Sequence, residues 1–166
     1  MENADGSCRM KARYAALISA VVTVAVILVV TKLVIVYADA LNGSALIPGF
    51  LDFAIAYNRG ISFGLFTQDT VFGDRVLVSA TVIIIAVLCI WAYKTPHYPI
   101  ATSLGIIVGG ALVNTADRAL NGAVFDFLYV KLGSIPLFVC NAPDIAISFG
   151  VIVLVLVDFY PIGRQR

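Results

Sequence analysis

Four long apolar runs dominate the chain. They cover residues 14–37 (broken late by Lys32), 76–93, 100–116 and 145–160, the third opening after Pro96-His97-Tyr98-Pro99 and the fourth closing at Pro161. About 20 apolar residues cross a bilayer as a helix, so each run predicts a spanning helix. The second and fourth are short but adequate, because flanking polar side chains snorkel. Trp91 and Tyr93 suit an interfacial belt. The first run, after Arg9, Lys11 and Arg13, has Ala38-Asp39-Ala40 behind it as a possible cleavage site. It far exceeds the roughly 7–15 residues of a signal-peptide core and is expected to be retained.

The connections differ in kind. Residues 94–99 make a tight turn, whereas 38–75 and 117–144 are long and hold Asn42-Gly43, Pro48-Gly49, Gly60 and Gly122. Within them residues 50–57 and 124–130 alternate with period two, which reads as short strands. Both segments fall on one side of the membrane and are expected to pair. The predicted fold class is an all-α polytopic membrane protein: one domain over 1–166, four transmembrane helices and a small extracytoplasmic β-platform.

Composition agrees with lipid as the solvent. Of 166 residues 61% are apolar and 13% charged, and the mean hydropathy is +0.99. Soluble domains run about 45–50% apolar and about 25% charged. A net charge of +1 gives no electrostatic case for nucleic acid. Cys8, Cys89 and Cys140 are odd in number and far apart, which excludes a disulfide framework and speaks against a zinc site. No metal or other cofactor is expected. Arg9, Lys11, Arg13, Lys94, Arg164 and Arg166 lie on one side, against Arg59, Arg75, Arg118 and Lys131, with Lys32 near that edge. The basic N-terminal cluster puts both termini in the cytoplasm and both long loops outside.

Two aspartates stand out by topology. Asp117 closes the third run and Asp144 opens the fourth, so oppositely directed helices bring both to one membrane level. Intramembrane carboxylates are costly and default to function. Their surroundings echo each other, Asn114-Thr115-Ala116-Asp117 and Asn141-Ala142-Pro143-Asp144, and residues three apart share a helix face. Two close carboxylates share a proton; one activates water and the other protonates the leaving group. Helix dipoles would make Asp144 the anion and Asp117 the acid. The bland reading makes Asp144 an N-cap and pairs Asp117 with Arg118 or Arg75. Asp52, Asp69 and Asp74 read as solvated charges or caps, and Asp126 as a tie held by backbone donors. His97 is too isolated to serve as ligand or base. Gly105, Gly109 and Gly110 read as helix contacts.

These residues resemble the lipoprotein signal peptidases (signal peptidase II). Tyr57-Asn58-Arg59-Gly60-Ile61-Ser62-Phe63-Gly64 is similar to that family's N-x-G-x-x-F loop. The stretch from Gly109 to Arg118 with Gly122 and Val124-Phe125-Asp126-Phe127 resembles its G-G-A-x-G-N-x-x-D-R and V-x-D-F block, and Asn141 to Ile147 with Gly150 its F-N-x-A-D-x-x-I block. The ordered set spans nearly the whole chain. It implies an intramembrane aspartic endopeptidase of the bacterial inner membrane that cuts diacylglyceryl prolipoproteins before the lipidated cysteine near the outer face. It also implies Asp117 and Asp144 as the dyad, with Asn58, Gly60, Asn114, Arg118 and Asn141 in support. Membrane lipid is the expected surrounding partner, and a monomer the expected state. The chain departs from the pattern at Leu28, where the family's D-Q-x-x-K keeps only Lys32, and at Val113, Cys140 and Pro143. Two rival readings remain: a binding protein that no longer cuts, and a small proton-coupled carrier.

Overall fold

The computed structural model describes residues 2–60 and 71–159. Its order is α1 (Glu2–Leu41), β1 (Ala45–Ile47), β2 (Leu51–Asn58), α2 (Val71–Lys94), α3 (Tyr98–Asn121), β3 (Val124–Leu132), β4 (Ile135–Cys140) and α4 (Ala142–Phe159). Three helical segments, Gly6–Leu41, Phe72–Lys94 and Tyr98–Asn121, are long and apolar enough to cross a membrane, and α4 is a shorter apolar helix. Phe63 and Gly64 of the Asn58 loop, Asp69, Arg164 and Arg166 lie outside the described residues.

α1, α2 and α3 outrun their apolar stretches at both ends, because intrahelical hydrogen bonding continues until a residue stops it. α1 persists to Leu41, where Asn42-Gly43 turns the chain with Gly43 at φ 80. α3 continues beyond Asp117 to Asn121 and ends at Gly122, φ 69, whose N–H bonds Arg118 O. This shift matters at the site: Asp117 is inside the helix and not at its end.

α3 is the central helix, in contact with α1, α2 and α4. Its glycines divide the work. A Cβ on Gly105 would sit 2.2 Å from Ala16 O and 2.0 Å from Ser19 Oγ, and one on Gly109 would sit 2.8 Å from Ala20 O, so these two admit α1. Gly110 faces α4, where an added Cβ would sit 2.8 Å from Pro143 O. Ser19 Oγ also donates to Thr102 O at 3.1 Å across the α1–α3 seam. Val113 is half-buried on α3, and Leu28 is 55% exposed, outside the helical core.

The four strands form one antiparallel sheet in the order β1-β2-β3-β4. β2 and β3, the two alternating stretches, are central and pair Asn58 with Val124 and Ala56 with Asp126. Phe53 and Phe127 stack on the buried face. Asp52 is not merely solvated; it forms an ion pair with Lys131. Because β3 leaves α3 through Gly122 and β4 runs directly into α4, the sheet lies against the ends of α3 and α4.

Candidate active site

The sheet–bundle junction encloses a cavity of about 180 Å³. Asn58 and Gly60 follow from β2, Asp126 from β3, Asn114 and Arg118 from α3, and Asp144 from α4, with Leu77, Val78 and Thr81 of α2 completing a wall. Asn114 and Arg118 are four apart on one helix face. Asp126 reaches the cavity because β3 folds back antiparallel onto β2.

The polar side chains form one continuous chain of hydrogen bonds. Gly60 N donates to Asn58 Oδ1 at 2.9 Å, so Asn58 Nδ2 points onward and donates to Asp126 Oδ2 at 3.0 Å. Asp144 N donates to Asn141 Oδ1 at 2.9 Å, which turns Asn141 Nδ2 toward Asp126 Oδ1 at 2.7 Å and Asn114 Oδ1 at 3.1 Å. Asn114 Nδ2 then donates to Asp144 Oδ1 at 2.9 Å, and Asn141 N to Asp144 Oδ2 at 3.2 Å. Backbone donors thus dictate which end of two amides faces the carboxylates. Asn141 is 1% exposed and touches both acids.

Electrostatics follow from this enclosure. Burial pushes the Asp126 carboxyl up from 3.8 to about 6; the Asn58 bond opposes this, the Asp144 charge adds to it, and Asn141 and Arg118 oppose it more weakly. Cys140 is raised to about 11 by burial and then by Asp144 and Asp126, so its thiol stays protonated. Arg118 Nη2 donates to Gly60 O at 2.6 Å, and its Nη1 lies 3.8 Å from Asp74 of α2. Asp74, expected as a solvated charge or cap, instead links two helices through that arginine.

Asp117 is placed elsewhere. Its Oδ1 accepts from Asn121 Nδ2 at 2.6 Å and its Oδ2 from Phe125 N at 2.8 Å, and it faces grooves toward α1 with Ile35. Among the described residues, the amide network that joins Asp126 and Asp144 does not take in Asp117. Equal depth says nothing about direction around the helix axis, and Asn114 and Arg118 take the face of α3 that points into the cavity. Asn114, which shares a face of α3 with Asp117, gives its amide to Asp144. Asp126 was expected to accept backbone donors; two side-chain amides hold it beside Asp144.

Residues 19–160 match the family described as signal peptidase (SPase) II. The chain belongs to the signal peptidase II family. It is similar to the lipoprotein signal peptidase of Methylorubrum extorquens, 41% identical over 115 residues, 69% of this chain and 67% of that protein. With that of Methylobacterium radiotolerans it shares 40% identity over 116 residues, 70% of this chain and 68% of the other. In fold it is similar to a bacterial membrane enzyme solved by the in meso method at 2.3 Å, with TM-score 0.71, 23% identity and 91% of each chain covered. A second such structure, at 1.9 Å, gives 0.68 and 24%, covering 87% of this chain and 92% of the other. Membership makes the chain a protease of a bacterial membrane.

One signal for Asp126 was present in the sequence. A lone acid stands amid Val124, Phe125, Phe127 and Leu128 on an apolar strand. An unpaired carboxylate on a buried strand is costly without a reason to be there.

Proposed function

We propose that this member of the signal peptidase II family is an aspartic endopeptidase whose catalytic residues are Asp126 and Asp144, acting on diacylglyceryl prolipoproteins just before the lipidated cysteine. The observation that carries this is the single amide network holding both carboxylates in one cavity. Asp144, in the first turn of α4 and accepting a backbone N–H, is the anion that takes a proton from water. Asp126, raised by burial, is the protonated partner that polarises the scissile carbonyl and then feeds the leaving amine. The two titrate as a pair. Asn58, Asn114 and Asn141 orient them, and Arg118 holds the Asn58–Gly60 backbone.

The same reading makes α4 a fourth crossing, since 18 residues rise about 27 Å. Both termini are cytoplasmic and the cavity lies near the outer face, where a lipid-anchored substrate presents its peptide bond. Membrane lipid surrounds a monomer. Activity on a purified diacylglyceryl prolipoprotein tests the reading. Asp126→Asn and Asp144→Asn should each lose at least about a hundred-fold in kcat while remaining folded. Asp117→Asn should keep most activity and lose stability. A folded but inert Asp117→Asn beside an active Asp126→Asn overturns the assignment.

A further inference from the structure

The far end of the sheet is apolar where water would favour polar residues. Two turns meet there: Gly133 N donates to Gly49 O at 2.8 Å and Lys131 N to Phe50 O at 2.9 Å. Joined in this way, they present Ile47, Phe50, Leu132, Ile135 and Leu137, between 48% and 62% exposed. Residues 45–51 and 132–138 carry no charge. The next charges inward, Asp52 and Lys131, neutralise each other. Scattered exposed apolar side chains are ordinary, but a contiguous patch marks an interaction surface.

The base of the sheet is held at the level of the helix ends. β1 starts at Ala45, just after α1 ends at Leu41, and β4 stops at Cys140, just before α4 begins at Ala142. Only residues 38–45 separate the exposed Val36 and Tyr37 of α1 from the exposed Leu46 and Ile47 of β1, so the patch is tied in the chain to the lipid-facing surface of α1. A nine-residue strand spans about 30 Å, enough for a sheet lying along the membrane to place its tip in the headgroup and upper acyl region.

We propose that this double turn inserts into the bilayer leaflet beside the sheet as a second anchor, its partner being phospholipid. Paired charges behind the tip let the patch enter without burying a net charge. Anchored at both ends, the sheet holds Asn58 and Asp126 at a set height above the lipid, which favours capture of a substrate whose own anchor is lipid. The inference rests on the membrane setting of the family and not on the pairing of Asp126 with Asp144.

Trp91 is the one tryptophan, so Phe50→Trp in a Trp91→Phe background reports on the tip of the full chain in bilayers. Quenching by phospholipid brominated near the carbonyl end of its acyl chains, with protection from iodide, is the expected result. Quenching by iodide alone places the tip in water and overturns the proposal. Protection from both, the signature of a second copy or another protein covering the patch, overturns it as well. In vesicles, Phe50→Asp with Leu132→Asp should raise KM roughly ten-fold with kcat and thermal midpoint unchanged. Loss of kcat at constant KM would count against an anchor. The fluorescence needs no turnover, so an inert but anchored protein would defeat the peptidase reading and leave this one standing.

Discussion

Asp126 shows how far one residue's setting governs its chemistry. Its neighbours in sequence are apolar, yet both carboxylate oxygens meet amides from distant positions, Asn58 and Asn141. With its folded value raised from 3.8 to about 6, its contribution to stability is present below 3.8 and is lost as pH rises through about 6. The thermal midpoint should therefore fall across that window, and Asp126→Asn should flatten the fall in a pH series of melting curves. If Asp126 is the acid, kcat/KM declines on the alkaline side as it ionises, which a pH–rate profile reads directly. Asn141→Ala orphans Asp126 Oδ1, Asn114 Oδ1 and the Asp144 N–H together. It should lower stability by about 3 kcal/mol in denaturant melts and depress kcat more than it raises KM.

At the scale of elements, α3 fixes the distances between the parts. Gly105 and Gly110 face different neighbours, α1 and α4, so their substitutions should separate stability from catalysis. Gly105→Val forces α1 away from α3, since even a Cβ lies 2.0 Å from Ser19 Oγ. The expected loss is about 3 kcal/mol, measured by thermal or chemical unfolding. Gly110→Ala presses on Pro143 O, one residue before Asp144, and shifts that carboxylate against Asn114. A misplacement of about 1 Å costs on the order of a hundred-fold in rate, so kcat should fall with KM little changed. The helices and central strands were legible because lipid and sheet impose periods that side-chain pattern reveals. Their ends were not, because helix termination is set by local stops such as Gly43 and Gly122 rather than by hydropathy. That difference moved Asp117 from the end of α3 to its interior.

For the molecule as a whole, the bundle and the sheet meet at one seam, and the cavity belongs to neither alone. α2 supplies a wall and Asp74, α3 the amide and guanidinium, and β3 and α4 the acids. The orientation assigned to it predicts labelling from opposite sides. With the three native cysteines replaced by serine, Asn42→Cys in the turn between α1 and β1 should react with an impermeant maleimide added outside whole spheroplasts. Lys94→Cys should react only after they are opened. The reverse pattern would invert the topology.

Composition, apolar run length and strand alternation determined by themselves that the chain lives in lipid, in helices joined to a small sheet, because the bilayer penalises every alternative locally. The ordered Asn, Gly and Asp motifs determined the family. Which carboxylate faces Asp144 was decided only in three dimensions. Depth follows from position along the chain, but azimuth follows from which helix face α4 and the sheet take, and that is set by Gly110, the left-handed Gly122 and the return of β3 onto β2. Those contacts bring residues 58, 126 and 141 together from three separate segments, turning Asp117 to a brace between α3 and β3 and Asp126 to the cavity.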